Sequence, residues 1–159
     1  MNASQPLLNK WKKDRPNYKN FCSDGILVPQ RWESSNSKIL FLLKETYVDF
    51  IDITGELGPK GTSKTFWRKM KLWTYIVDEL FENRNPDPNK VGVIKEIPND
   101  TSAYVNLKKN AEKIARTNDF KSDDADIMQY VEHDKEYLVE QIKMINPKII
   151  LCCSTFKFA

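Results

Sequence analysis

The 159-residue chain is poor in residues that cross-link or anchor a protein: it has three cysteines, one histidine and no long hydrophobic run. These cysteines and the histidine match no zinc or iron–sulfur ligand spacing, so neither a metal nor a cofactor is expected. No stretch approaches the ~20 apolar residues of a membrane helix, so no membrane segment is expected. The amino terminus has neither the basic start nor the apolar core of a secretory signal. We therefore expect a cytoplasmic protein with reduced thiols.

The composition is that of an ordinary globular protein, with 40% hydrophobic and 30% charged residues. A chain of this length can bury enough surface to fold without disulfides or metals, which predicts a single domain over residues 1–159. The net charge of +3 is too small to indicate nucleic-acid binding by itself.

Basic and aromatic side chains alternate near the amino terminus: Lys10, Trp11, Lys12, Lys13, Arg15, Tyr18, Lys19 and Phe21. Such a mixture can follow a phosphate backbone while its rings stack on bases. It can also be the solvated face of a helix, which is the more common role of such a tract.

The most informative segment is an apolar run, residues 39–43, that ends abruptly in Lys44, Glu45, Thr46 and Tyr47. A run this short and apolar predicts a strand that is buried on both faces. Ligands of open α/β sheets bind at the carboxyl ends of the strands, where these polar residues would lie. They are therefore a candidate site, and the alternative is that Lys44 and Glu45 only solvate a loop.

Three helices are predicted from the spacing of apolar residues. About the first 14 residues form a short helix that ends before Pro16. Residue 62 or 63 caps a second helix, whose core positions recur at steps of four and three: Phe66, Met70, Trp73, Val77 and Leu80. Residue 123 or 124 caps a third helix, which ends before Pro147. Asp134 interrupts the apolar face of this helix, which predicts a kink or a division there.

Two further strands are expected at residues 102–107 and 148–153, and the second of these is expected to be buried. Residues 108–116 have the character of a brief helix, and the glycine-rich residues 51–63 predict a flexible loop beside the candidate site. Strands that are separated by helices and apolar throughout predict parallel pairing. The expected fold is therefore α/β, a helix-sheet-helix sandwich.

Three motifs occur in an order that resembles the uracil-DNA glycosylase superfamily. They are residues 43–47 (LKETY), residues 104–108 (YVNLK) and residues 140–150 (EQIKMINPKII), and the last is similar to the bacterial and archaeal branch. The resemblance spans roughly residues 38–154 and depends on the order of the motifs. It implies a three-layer αβα sandwich with a short, mostly parallel central sheet.

The resemblance also implies roles for particular residues. Glu45 falls where the family places the Asp or Asn that positions the attacking water, so it is the catalytic candidate. Asn106 matches the asparagine that reads the edge of the flipped base, and Phe66 matches the aromatic residue that stacks on it. Tyr47 falls where some members exclude the thymine methyl group. The substrate-binding candidates are Lys44, Tyr47, Phe66, Asn106 and Lys108.

Each of these roles has a structural alternative. Phe66 lies on the core stripe of its helix, and Trp67 is an alternative stacking residue. Asn106 can cap a following helix, and Tyr47 can cover the rim of the sheet. Glu45 can form a structural pair with Lys44.

The chain departs from the family pattern at two places. Leu43 and Thr46 stand where the first motif has glycine and proline, so the tight turn that brings backbone amides near the base is not assured. The family also has a histidine-containing loop after a fourth strand, whereas this sequence stops at Ala159 and its single histidine, His133, lies within a predicted helix. Either the natural protein continues past Ala159, or it is a divergent member with weak or no excision activity.

The leading hypothesis is a uracil-DNA glycosylase-like hydrolase that cleaves the N-glycosidic bond of a damaged or deaminated base in DNA. The alternative is a catalytically inactive relative that acts as a nucleic-acid-binding or protein-interaction module. A third hypothesis is an unrelated α/β protein that binds a small nucleotide at the same strand rim. Because the third strand would present an unpaired edge bearing Ile149, Ile150 and Leu151, a homodimer through that edge is also expected.

Overall fold

The computed structural model describes residues 4–47, 52–53, 65–90, 101–112 and 122–158. The helices in these ranges include α1 (Gln5–Asp14), α2 (Pro29–Ser34), α3 (Thr65–Phe81), α4 (Asp124–Ile145) and a short 3-10 helix (Phe156–Phe158). The strands are β1 (Gly25–Ile26), β2 (Ile39–Tyr47), β3 (Ala103–Glu112) and β4 (Ile149–Cys152). None of the helices in these ranges is both long and apolar enough to cross a membrane.

The strands form one mixed sheet in the order β1-β3-β2-β4. β2 is parallel to both β3 and β4, as the sequence predicts, whereas the two-residue β1 pairs with β3 in the antiparallel direction. In the β2–β3 register, Leu43 is opposite Asn106 and Glu45 is opposite Lys108. The prediction of an α/β fold with a mostly parallel central sheet is confirmed at this level.

Helices α3 and α4 pack on opposite faces of the sheet. Leu40, Leu42 and Val105 belong to a buried cluster that includes residues of α1 and α4. Phe41 and Tyr104 belong to a second buried cluster that includes residues of α3. Because successive residues of a strand point to opposite faces, the apolar run of β2 supplies both clusters. The layers are therefore helix, sheet and helix.

The amino-terminal cap of α4 is the one that the sequence predicts. The Asp123 carboxylate accepts a hydrogen bond from the Asp126 backbone N–H at 2.8 Å. At the other end, Asn146 adopts a left-handed conformation with φ 52° immediately before Pro147, which cannot continue the helix.

The predicted division of this helix at Asp134 is wrong, because α4 is one continuous helix. Asp134 is fully buried, and its carboxylate accepts hydrogen bonds from Arg15 Nε and from the Tyr18 hydroxyl, both at 2.8 Å. A buried carboxylate is tolerated on the packed face of a helix when it has such partners.

The predicted helix at residues 108–116 is wrong over residues 108–112, which continue β3. Pairing of Lys108 and Glu112 with residues of β2 overrides the weak local preference for helix. The predicted burial of the last strand is also wrong in part, because β4 lies at the edge of the sheet formed by the described residues and Ile150 is 45% exposed. Most of the predicted glycine-rich loop, residues 51–63, lies outside the described residues.

Candidate functional site

Glu45 of β2, Lys108 of β3 and Ser122 and Asp126 at the start of α4 form a charged cluster, which we call the crevice. These neighbouring parallel strands lead along the chain to α3 and α4, which lie on opposite faces of the sheet. Ligands of open α/β sheets bind beyond the carboxyl ends of the strands, so a charged cluster toward this end of the sheet is a candidate ligand site. Glu45 and Lys108 are partners in the register of these two strands near that end.

Glu45 is held in place by the residue that precedes the cap of α4. One of its carboxylate oxygens accepts a hydrogen bond from the Ser122 backbone N–H at 3.2 Å, and the other accepts from the Ser122 hydroxyl at 2.7 Å. The Glu45 side chain is only 8% exposed, and its Oε2 lies 4.0 Å from Lys108 Nζ. A carboxylate that is fixed by two hydrogen bonds and largely shielded from water acts strongly on nearby charge.

Lys108 is the positive centre of the crevice. Its Nζ donates to the Ser122 hydroxyl oxygen at 2.6 Å and to Asp126 Oδ2 at 2.7 Å. It also lies 4.8 Å from the centroid of the Tyr130 ring, within range of a cation–π interaction. With a side chain that is 2% exposed, Lys108 is a buried ammonium that the carboxylates of Glu45 and Asp126 compensate.

The Lys108 ammonium lowers the pKa of the Asp126 carboxyl. Partial burial would raise the pKa of its carboxyl, but hydrogen bonds with Lys108 and Ser122 outweigh burial and hold the pKa below its usual value. Asp126 is therefore ionised at neutral pH and contributes negative charge to the crevice.

The structural alternative in which Lys44 pairs with Glu45 is wrong. Its Nζ lies 3.0 Å from Asp124 Oδ1 at the start of α4, and its side chain is 34% exposed. This ion pair joins the end of β2 to α4 beside the crevice, and it leaves Glu45 to its contacts with Ser122 and Lys108.

Asn106 lies in a separate, fully buried polar cluster. Its side-chain amide donates to Asp24 Oδ2 at 3.1 Å and contacts Cys22 Sγ at 3.5 Å. Because Asn106 lies inside β3 and is followed by strand, the alternative that it caps a helix is wrong. The structure brings Glu45 and Lys108 together, but it places the Asn106 amide against Asp24 in a different buried cluster.

The remaining candidate residues have little described contact with the site. Tyr47 lies in β2 and Phe66 lies in α3, but their side chains are outside the described residues. Trp67, the alternative stacking residue, is 7% exposed and packs edge-on against Tyr104 with ring centroids 5.2 Å apart. Trp67 is therefore a core residue.

The basic and the aromatic side chains of the amino-terminal tract have different surroundings. Its aromatic members Trp11, Tyr18 and Phe21 are buried, so they pack in the core and do not present a stacking surface. Lys12, Lys13 and other basic members are exposed, as expected for a solvated face.

Three residues of the site were missed by the sequence predictions: Ser122, Asp126 and Tyr130. They recur at steps of four. Asp126 and Tyr130 therefore lie on one side of α4, and Ser122 is the residue before its cap. That spacing of polar residues could have indicated a shared surface. The sequence marks Asp24 only as part of a turn, Ser23-Asp24-Gly25. Its hydrogen-bond partners are distant in sequence, so its role in the site leaves no local pattern.

Comparisons with known proteins give no independent support for a family. No protein-family model matches the chain, and no curated protein and no solved structure shows significant similarity to it. Within the described ranges, no group of three or more acidic, histidine or cysteine side chains is arranged to hold a metal ion.

Proposed function

We propose that the protein is a uracil-DNA glycosylase-like hydrolase that cleaves the N-glycosidic bond of a damaged or deaminated base in DNA. The observation that carries the proposal is the pair of opposite charges toward the carboxyl end of β2, where Glu45 lies beside Lys108 of β3. Glu45 and Lys108 are register partners, their charged atoms are 4.0 Å apart, and both are nearly shielded from water.

The chemistry of base excision requires two charges of this kind. As the glycosidic bond breaks, positive charge develops on the sugar and negative charge develops on the departing base. A fixed carboxylate stabilises the first and a fixed ammonium stabilises the second, and both effects are strong where water is excluded. Glu45 would face the sugar, and Lys108 would face the base.

Glu45 also has the capacity to orient the attacking water. A carboxylate has about four acceptor positions, and Ser122 occupies two of those of Glu45. The remaining positions can accept a hydrogen bond from a water molecule. Lys108 would take the part of the histidine donor that the resembled family uses, since His133 belongs to α4 and matches no family motif.

The experiment is uracil excision from an oligonucleotide that contains a single deoxyuridine. Excision leaves an abasic site, which alkali converts into a strand break. The wild type should produce the break with single-stranded or double-stranded substrate, and Glu45→Gln should reduce it by about a hundredfold or more. Glu79→Gln is the matched control because Glu79 pairs with Arg84 near the end of α3, so this variant should retain full activity. An uncut wild-type reaction with both substrates would refute the proposal.

One observation favours a second candidate, a catalytically inactive relative that binds nucleic acid. The Asn106 amide, which would read the flipped base, is fully buried and donates to Asp24. A binding module predicts salt-sensitive DNA affinity that survives Glu45→Gln. Absence of DNA binding at low salt would count against both candidates.

A further inference from the structure

A polar cleft of about 330 Å³ lies beside the crevice, outside the residues proposed for excision. The segment after α1 supplies one wall, and one side of α4 supplies the other. In the described part of the chain it is lined by Asn17, Tyr18, Asp126, Gln129, Tyr130 and His133. Its volume is at the lower end of the range for small-molecule sites.

The cleft and the crevice share a border. Asp126 and Tyr130 line the cleft, and both contact Lys108, through a hydrogen bond and a ring face respectively. From Asp126 the cleft extends along α4 to His133, a rise of about 10 Å for seven helical residues. A ligand that contacts Asp126 or Tyr130 in the cleft is therefore one side chain away from Lys108.

Most of the charged and hydroxyl groups at the cleft already have partners. Asp126 is compensated by Lys108, and the Tyr130 hydroxyl accepts a hydrogen bond from Asn110 at 3.1 Å. The Tyr18 hydroxyl donates to Asp134, the buried carboxylate that also pairs with Arg15. The cleft therefore carries little uncompensated charge for a ligand to satisfy.

The groups left for a ligand are two side-chain amides and an imidazole, which offer hydrogen-bond donors and acceptors. The amides of Asn17 and Gln129 are exposed, and the His133 side chain is 56% exposed. His133 Nδ1 lies 3.3 Å from the Tyr18 hydroxyl and 3.2 Å from Asp134 Oδ1, which leaves Nε2 for a ligand. Amides and an imidazole match the mixed donors and acceptors on the edge of a nucleobase.

Basic side chains lie close in sequence to Asn17, which lines the cleft. Lys12 and Lys13 lie in the last turn of α1, and Lys19 follows Tyr18. All three are exposed, as phosphate-binding side chains must be. The cleft thus offers hydrogen-bonding groups, and exposed ammonium groups lie near its Asn17 wall in the sequence.

We propose that the cleft binds the base of a nucleotide next to the extruded one in single-stranded DNA. This inference rests on the proposed function for its biological role, since the neighbouring base would then influence which sites are excised. Asn17, Gln129 and His133 contact the base, and Lys12, Lys13 and Lys19 contact the adjoining phosphates.

The single histidine of the chain makes a direct test available. The imidazole C2 proton of His133 is assignable in a proton NMR spectrum without isotope labelling. The probes are pentathymidylate, which contains no uracil, and an abasic deoxyribose phosphate chain of the same length. Pentathymidylate should shift the His133 signal saturably, and the abasic chain should leave it in place.

Variants locate the binding site. Gln129→Ala should weaken pentathymidylate binding by about fivefold or more, as expected for losing a base contact. Met128→Ala is the matched control because Met128 is a partly exposed neighbour on α4 that does not line the cleft, so it should bind as the wild type does.

Equal shifts with both probes, or no shift with either, would overturn the inference, because the cleft would then not recognise a base. The probes cannot be excised, so the result is independent of glycosylase activity. A His133 shift with pentathymidylate alone in a protein that excises no uracil would support base binding and would refute only the excision role.

Discussion

Asp24 and Lys109 form an ion pair that is closed to solvent. Lys109 Nζ lies 2.6 and 2.7 Å from the two carboxylate oxygens, and neither side chain has exposed surface. The same carboxylate accepts hydrogen bonds from the Asn106 backbone N–H and from the Gln141 amide, both at 2.8 Å. Asp24 therefore joins the segment before β1 to both β3 and α4.

Substitution of Asp24 by Asn should destabilise the protein strongly. The variant leaves the Lys109 ammonium buried without a counter-charge, which typically costs about 3–5 kcal/mol. Urea denaturation of the two proteins measures the difference in free energy of unfolding. Glu33→Gln is the control because Glu33 pairs with Lys38 at an exposed position, so a change of at most about 1 kcal/mol is expected. Equal urea midpoints for wild type and Asp24→Asn would contradict the account of this pair.

The position of the candidate site follows in part from local sequence. The apolar run of β2 and its abrupt polar end place Glu45 at a strand terminus, and the cap and proline of α4 set the bounds of that helix. These features depend on neighbours within a few residues, so propensity and spacing are sufficient to predict them.

The surroundings of the site could not be predicted in the same way. Lys108 was assigned to a helix because its local sequence favours one, whereas its strand conformation depends on pairing with a residue 63 positions earlier, Glu45. The buried Asn106 contact arises similarly from Asp24, which is 82 positions away. Contacts of this range are fixed by packing of the whole domain and leave little local signal.

Substitution of Asp78 by Asn should stabilise the protein at neutral pH. Burial raises the pKa of the Asp78 carboxyl, although the hydrogen bond donated by Ser37 partly offsets it. A raised folded-state pKa of an acid means that stability is fully present below the unfolded pKa and is lost as the pH rises through the folded value. Asparagine removes this loss and can still accept the hydrogen bond from Ser37.

The thermal midpoint Tm of the wild type and of Asp78→Asn at two pH values tests whether ionisation of Asp78 destabilises the protein. Asp78→Asn should melt higher than the wild type at pH 7, and the difference should disappear near pH 3, below the ordinary carboxyl pKa of about 3.9. Glu79→Gln should not raise the Tm at pH 7, because a hydrogen bond from Arg84 lowers the pKa of the neighbouring Glu79. A lower Tm for Asp78→Asn at pH 7 would show that the ionised carboxylate is favourable there.

The open edge of β4 predicts self-association. Within the described residues β4 pairs with β2 alone, and Ile150 is 45% exposed on it. Unpaired backbone groups on an apolar edge favour pairing with the same strand of a second copy. The wild type should elute from gel filtration as a dimer at high micromolar concentration, and Ile150→Lys should elute as a monomer. Elution of the wild type as a monomer would contradict the predicted dimer.

The central claim is that Glu45 and Lys108 act together on one glycosidic bond, and single-turnover excision of uracil measures this most directly. Four proteins are compared: wild type, Glu45→Gln, Lys108→Met and the double variant, each verified to be folded by its melting curve. Each single substitution should slow excision by about a hundredfold or more, and the double variant should be little slower than the worse single one, as for residues that act as a unit. Excision by Glu45→Gln at the wild-type rate would contradict the claim.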